Sequence, residues 1–475
     1  MVPMGCRDPD DVSIADAVAS FSREQLMVWH RFKSGQNVFF SGVAGSGKSF
    51  LMRTIIQYCR LKKKSVGITA STGIAGVNIG ASTLHSWSGI GLGKGSVSDL
   101  VDKVYRFKAA LGRWRDATAL IIDELSMISH DLFDKMEEVA RTVRNDERPF
   151  GGLQLILCGD FLQLPPVTPG STCTRHTFLA ASWDMCFPRV VGNDIDENII
   201  ILTHVFRQSD TSFVRVLNNL RLGKVSAEGE ALFQSCLQTD MSALVQRDGI
   251  EPTRLFSTKR EVSTVNEQRL VQIAKREVVF HAADWCTSRG KSVLDSIKKN
   301  CQASATIVLK VGAQVMFLCN RKEVGLVNGS RGVVVRFEPL HVPAPSLSWG
   351  KVSRSQLWPV VRFVNGVEHV CTPEEWAIER DRKKVAKREQ VPLLLAWALT
   401  IHKCQGMTLD RVELSLGSTF ENGQGYVALS RVTDPSGLRL LDYDSSVIRA
   451  CPVAIAWYER LLNRSTVTKS DSVVI

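Results

Sequence analysis

A glycine-rich octapeptide ends in a lysine and a hydroxyl: Gly42-Val43-Ala44-Gly45-Ser46-Gly47-Lys48-Ser49. Glycines at these spacings let backbone N–H groups close around phosphate oxygens, Lys48 can reach the β- and γ-phosphates, and the Ser49 hydroxyl can ligate Mg²⁺. Further along, Leu120-Ile121-Ile122-Asp123-Glu124 sets two carboxylates after an apolar run. At a strand exit Asp123 can hold the Mg²⁺ shell while Glu124 orients and deprotonates an attacking water; such acids can also simply cap a following helix. In Leu157-Cys158-Gly159-Asp160-Phe161-Leu162-Gln163-Leu164-Pro165-Pro166 the prolines stiffen a loop on which the Gln163 amide can sense a γ-phosphate. These residue types predict nucleoside-triphosphate hydrolysis.

Such chemistry needs a strand before the phosphate loop and a helix after it. Residues 38–40 are a short apolar run suited to a buried parallel strand, and Leu51, Ile55 and Cys59 recur every four residues as one helix face does. Further apolar runs at 66–69, 120–123, 153–158 and 199–202, then at 255–257, 412–416 and 438–441, alternate with longer helical patterns. That alternation predicts an α/β fold with parallel sheets and crossover helices. Between 311 and 370 the pattern changes, with Gly312, Gly325, Gly329, Gly332 and Gly366 punctuating short runs. A small antiparallel β-barrel inserted in the second sheet domain is expected there, with 341–348 as its long loop. Thr372-Pro373-Glu374-Glu375 combines an N-cap, a proline at the first helical position and a capping-box glutamate, so a helix is expected to begin there. The basic run 380–388 would then be a solvated helix face in preference to a DNA contact. Lys62-Lys63-Lys64 reads as the complement of a helix C-terminus.

At 475 residues the chain is long enough for about three domain-sized units. Its 59 Lys plus Arg against 48 Asp plus Glu leave a net +11, which favours a polyanionic partner such as nucleic acid. The 12 cysteines include no Cys-x-x-Cys pair and read as small core hydrophobes in a reducing compartment, not as a zinc site or a disulfide frame. The longest strongly apolar stretch, 391–399, contains a proline and is too short to cross a membrane. One arginine and three aspartates in residues 1–11 are unlike an acid-poor, Arg-rich transit peptide.

Several further segments occur in one order with the phosphate loop: Ile121-Ile122-Asp123-Glu124-Leu125-Ser126-Met127, Gly159-Asp160-Phe161-Leu162-Gln163-Leu164-Pro165-Pro166-Val167 and Leu202-Thr203-His204-Val205-Phe206-Arg207-Gln208. They are followed by Ala398-Leu399-Thr400-Ile401-His402-Lys403-Cys404-Gln405-Gly406-Met407-Thr408-Leu409-Asp410 and Tyr426-Val427-Ala428-Leu429-Ser430-Arg431. Over roughly 21–441 the chain resembles the Pif (petite integration frequency) family of superfamily-one DNA helicases, related to RecD.

The resemblance implies an ATP-driven 5′-to-3′ helicase using Mg²⁺. It implies two RecA-like motor domains, at about 20–225 and 226–450, between tails at 1–19 and 451–475. The first would carry a wedge insertion at about 87–116 and the second a barrel insertion at about 311–390. ATPase roles map onto Lys48, Ser49, Asp123, Glu124 and Gln163, and the resemblance adds Arg207 and Arg431 as an arginine fork closing on the γ-phosphate. Gln25 maps onto an adenine reader, although Ser22 and Gln25 also have the spacing of a capping box. Thr72, Thr83 and His85 in the first motor, and Thr400, His402 and Lys403 in the second, map onto strand-tracking segments. Phosphate contacts suit these residues, while packing roles for the histidines remain the alternative. Gly76 stands where the resembling family usually has alanine, and Gly425, just before the Tyr426–Arg431 motif, is a like departure. The implied partners are single-stranded DNA and tailed or forked duplexes, bound by a monomer or by a dimer on DNA. The implied setting is replication, repair, recombination or telomere maintenance, in nucleus or mitochondrion. A DNA-stimulated ATPase that remodels protein–DNA complexes without unwinding is the alternative.

Overall fold

The computed structural model describes residues 14–166, 176–188, 198–288, 290–319, 321–339, 357–380, 383–401, 403–417 and 422–470. Six parallel strands, β1 (Val38–Gly42), β2 (Val66–Ala70), β3 (Ser82–Thr83), β4 (Ala119–Asp123), β5 (Gln154–Cys158) and β6 (Ile199–Leu202), form a sheet in the order β3-β2-β4-β5-β1-β6. The five expected from apolar runs are present. The edge strand β3 is two residues long and carries no such signal.

Strand alternation divides this sheet's apolar residues between two cores. Phe39, Leu120, Ile122, Leu155 and Leu157 bury on one face, and Val38, Phe40, Ile121 and Ile156 on the other. Both faces being covered, β1 and β4 are buried at every position, as a parallel strand between helix layers must be. On the first face, the helices Leu84–Ser88, Val97–Arg106 and Lys108–Asp116 pack through Trp87 and Trp114, whose rings are 4.8 Å apart.

A second parallel sheet places Ala398–Thr400, β7 (Thr253–Phe256), Val412–Ser415 and Leu438–Asp442 in that order. Between its strands the chain builds the expected antiparallel insertion. Strands Gln314–Phe317, Arg331–Pro339, Leu357–Phe363, Glu368–Val370 and Leu393–Leu395 form a five-stranded sheet joined by antiparallel ladders. The ladder of Val278–His281 with Thr306–Leu309 shares their core through Phe280, Ile307 and Leu309.

The helix expected from Thr372 is absent. Glu374–Arg380 and Lys383–Gln390 are instead the arms of a β-hairpin, and the second arm also pairs with Ala283–Cys286. The capping-box signature is local, whereas the apolar residues behind it, Trp376 and Ile378, recur every second residue and fit a strand. Ile378 and Ala386 bury against Val293 and Ile297 of the helix Lys291–Asn300. The basic run is therefore not a solvated helix face. Arg388 is 2% exposed and holds both oxygens of Asp284 at 2.8 and 2.9 Å, while Lys387 bonds Glu375 and Glu389.

Residues 451–475, expected as a tail, include the helix Pro452–Ser470, which returns to the first sheet. Trp457 stacks on Phe178 at 4.7 Å and edges against Phe161 at 5.4 Å, inside the core that contains Phe39. No described helix is long and apolar enough to cross a membrane.

Candidate functional site

The phosphate loop leaves the carboxyl end of β1, and the helix Lys48–Leu61 starts directly from it. Gly45 and Gly47 hold φ of +84° and +81°, a region that strains residues bearing a Cβ. Space demands glycine as well. A Cβ on Gly45 would lie 2.7 Å from Arg207 Cβ, and one on Gly47 2.5 Å from Gln25 Nε2. Lys48 Nζ donates to Gly42 O at 2.6 Å and Val43 O at 3.0 Å, and burial lowers its pKa. Ser46 Oγ is buried with no hydrogen-bond partner among the described residues. A ring of backbone amides opening onto a helix N-terminus, with a lysine at its mouth, fits a triphosphate.

β4 runs beside β2 and β5 and delivers Asp123 and Glu124 to the same sheet edge. Glu124 sits in the left-handed region at φ 54°, ψ 48°, and its N–H donates to Asp123 Oδ1 at 2.9 Å. A non-glycine residue held there marks a conformation imposed by its surroundings. Gly159, at the exit of β5, permits that turn: a Cβ would stand 2.8 Å from Leu125 N. Burial pushes both carboxyls up, Glu124 to about 7, with the charge of Asp123 as the second cause and Lys48 and Arg431 opposing. A carboxylate raised toward neutrality suits a general base. No group of three or more His, Cys, Asp or Glu that could hold a metal ion occurs among the described residues; Ser49 and Asp123 with phosphate oxygens are a hard-oxygen set that would suit Mg²⁺.

Gln163 is 6% exposed and its Nε2 donates to Asp160 Oδ2 at 3.3 Å. Asp160 in turn pairs with Arg221 at 2.7 and 3.0 Å, and that pairing outweighs burial to hold its pKa down. Gln25 serves two partners at once. Its Oε1 accepts from Ser22 N–H at 2.9 Å, completing the capping box, and its Nε2 donates to Ser46 O at 3.3 Å. Reading an adenine with that amide requires Nε2 to leave Ser46.

Arg207 follows β6, while Arg431 comes directly after the helix Gln424–Leu429 and its C-cap Ser430 in the second sheet domain. They meet. Arg207 donates from Nε to Thr408 Oγ1 at 3.2 Å and from Nη1 to Ser430 O at 3.0 Å. Arg431 donates to Val427 O and Ser430 Oγ, both at 2.9 Å. Burial, and then the like charge of Arg431, pull Arg207 down to about 9, so it stays cationic at neutral pH. A cavity of about 350 Å³ lies between the domains, with Ser49, Asp123 and Glu124 on one side and Gln405 and Thr408 on the other. Asn328 of the antiparallel insertion also lines it.

Three further residues of the shared segments take part in the site. Tyr426 accepts the Ala44 N–H of the phosphate loop at 2.8 Å, Gln208 donates to Ser430 O and Val432 O, and Thr408 receives Arg207. Each lies inside a motif that carried the resemblance. Arg221 and Tyr458 lie in none, and no sequence signal points to them.

Of the expected DNA-contact residues, Thr72, Thr83 and Thr400 have local partners. Thr72 and Thr83 accept the N–H of Ala75 and Ser86 at 3.2 and 3.3 Å, and Thr72 also lines the interdomain cavity. Thr400 is 3% exposed and accepts Lys403 N–H at 3.2 Å. His85 and Lys403 are half-buried, and burial lowers the pKa of each. His402 lies outside the described residues. Gly73, next to Thr72, is covered by Asn300: a Cβ there would stand 1.9 Å from its Cγ. At Gly76 a Cβ would press on Ala81 O at 3.0 Å, so glycine relieves crowding at that helix.

Among known proteins, residues 20–231 match the model of the PIF1-like helicases and residues 292–337 that of the 2B domain of DNA helicase Pif1. The chain is similar to the ATP-dependent DNA helicase PIF1 of Emericella nidulans, 40% identical over 92% of this chain and 62% of that protein. The human ATP-dependent DNA helicase PIF1 is 41% identical over 95% of this chain and 65% of its own length. Of solved structures, Pif1 helicase from Candida albicans is 37% identical with a TM-score of 0.66, covering 93% of this chain and 99% of that one. Bacteroides sp Pif1 in complex with ADP-AlF4 is 27% identical with a TM-score of 0.72, covering 92% and 96%. The chain thus spans somewhat under two thirds of the length of these curated relatives.

Proposed function

Because the chain belongs to the PIF1-like helicase family, we propose that it is an ATP-dependent DNA helicase that moves 5′ to 3′ on single-stranded DNA and opens tailed or forked duplexes. One observation carries this reading: the cavity that holds Ser49, Asp123 and Glu124 is walled by both sheet domains. Ser49, Asp123 and Glu124 face Gln405 and Thr408, and Arg207 is bonded to the second domain while its Cβ flanks Gly45. Hydrolysis that needs both walls is tied to domain closure, and closure is the motion that can advance a grip on a strand.

In this mechanism Lys48 holds the β- and γ-phosphates, Glu124 takes the proton of the attacking water, and Gln163 registers the γ-phosphate. Arg207 and Arg431 stabilise charge on the transferring group, a contribution that arginine fingers make at the level of several powers of ten in rate. Ser49 and Asp123 would hold Mg²⁺, which neutralises phosphate charge when bound. Gln25 reads adenine. The motor domains run from about 20 to 225 and 226 to 450, with a wedge at about 87–116 that meets the fork and a barrel insertion at about 311–390. Thr72, Thr83, His85, Thr400, His402 and Lys403 follow the DNA backbone, the net charge of +11 favours that track, and the chain works as a monomer in nucleus or mitochondrion on replication, repair, recombination or telomeric substrates.

The test compares duplexes bearing a 5′ tail, a 3′ tail or none, with ATP and Mg²⁺, for the wild-type chain and Lys48→Ala. Opening of the 5′-tailed duplex by the wild type alone is expected. Unwinding retained by Lys48→Ala would contradict the mechanism, preference for the 3′ tail would reverse the polarity, and hydrolysis without strand separation would leave a remodelling ATPase.

A further inference from the structure

Tyr458 belongs to no motif, yet its hydroxyl sits at the floor of the nucleotide site. The side chain is 1% exposed on the helix Pro452–Ser470. Its hydroxyl lies 2.5 Å from Oγ of Ser41, the residue just before the phosphate loop, and accepts Phe161 N–H at 3.2 Å. It donates to Asp160 Oδ1 at 3.3 Å. A phenol has one proton and two lone pairs, so with the proton on Asp160 the Ser41 hydroxyl must be the donor to Tyr458. Burial and the charge of Asp160 raise the phenol's pKa and keep that proton in place. Asp160 spends its remaining acceptors on Arg221, Leu162 N–H and Gln163 Nε2. Arg221 lies 4.6 Å over the Tyr458 ring, closing the group.

The segment before this helix is tied to the other domain. Arg449 O accepts Gly423 N–H at 2.9 Å where the helix Gln424–Leu429 starts, and that helix carries Tyr426, the partner of Ala44 N–H. The helix Pro452–Ser470 is thus a strap from the helix that precedes Arg431 in the second domain to the Gln163 loop of the first. We infer that Tyr458 is a positioning residue for ATP hydrolysis: through Asp160 it sets Gln163, and through Ser41 it sets the start of the phosphate loop. This inference rests on the ATPase reading above and adds a residue to it.

The experiment measures DNA-stimulated ATP hydrolysis and thermal stability for the full chain, Tyr458→Phe, Ser41→Ala and Trp457→Phe. Tyr458→Phe keeps the ring over which Arg221 lies and removes only the hydroxyl. Its kcat should fall about tenfold with KM for ATP within about twofold, the loss expected of one hydrogen bond needed in the transition state. Ser41→Ala should lower kcat in the same sense, and the double variant should fall no further than Tyr458→Phe alone. Trp457→Phe, on the same helix but without a bond to Asp160, should lower the Tm and leave kcat unchanged. Wild-type kcat in folded Tyr458→Phe overturns the inference, as does a loss of kcat in Trp457→Phe that tracks its Tm. Should Tyr458→Phe not fold, Ser41→Ala decides alone. A wild-type chain without DNA-stimulated hydrolysis sinks the ATPase reading instead, an outcome read before any variant is compared.

Discussion

Replacing Glu124 by glutamine should stabilise this protein at alkaline pH while abolishing its chemistry. Burial first, and Asp123 second, push the Glu124 carboxyl from 4.5 up to about 7, so the folded chain binds its proton more tightly than the unfolded chain does. The sign follows from linkage. A group with a raised folded pKa is without penalty below about 4.5, and stability declines as pH rises through about 7, where the folded state must also ionise. The displacement is worth at most about 3 kcal/mol at pH 8. Glutamine imitates the protonated acid at every pH. The gap in Tm between Glu124→Gln and wild type should therefore be positive at pH 8, shrink as pH falls from about 7 and vanish only below about 4.5, measured without nucleotide or Mg²⁺. In the same preparation kcat for ATP should fall by roughly 10²–10⁴ through loss of the base. A Tm gap independent of pH, or a variant less stable than wild type at pH 8, would refute the account of a destabilised carboxylate.

Two more expectations concern groups that hold the site. Arg221→Met leaves Asp160 buried without its cation and should cost about 3–5 kcal/mol, seen as a lower denaturation midpoint; adding Asp160→Asn should recover most of the loss, and an undiminished midpoint in the single variant would argue that the pair contributes nothing. Gly329 has φ of +106° and a Cβ there would meet Thr408 O at 2.3 Å, so Gly329→Ala should displace Thr408 from Arg207 and lower ATPase kcat several-fold while costing about 1–3 kcal/mol; wild-type kcat would show that the insertion's turn does not set the arginine.

Local chemistry made much of this protein legible before its fold was known. The phosphate loop needs its glycines and lysine close together, and β1, β4 and β5 carry apolar runs at 38–40, 119–122 and 155–158 because two helix layers cover them, so both features survive as contiguous text. The hairpin Glu374–Gln390 was misread for the opposite reason. A capping box predicts a helix from four residues, but strand pairing with Ala283–Cys286 and burial of Arg388 against Asp284, 104 residues away, come from a distant segment. The two-residue strand β3 likewise exists only because β2 offers it a ladder.

Residue identity and order along the chain determined the glycine-rich loop, the adjacent carboxylates Asp123 and Glu124, the parallel sheets and the family, since each is written in adjacent residues whose spacing chemistry constrains. Only the tertiary structure decided that Arg207 bonds Ser430, that Tyr426 touches Ala44, and that Tyr458 comes back across the molecule to Asp160. Those contacts join residues more than two hundred positions apart, and hydrogen bonds of about 3 Å form wherever packing brings donor to acceptor, leaving no periodicity or spacing in the sequence to mark them.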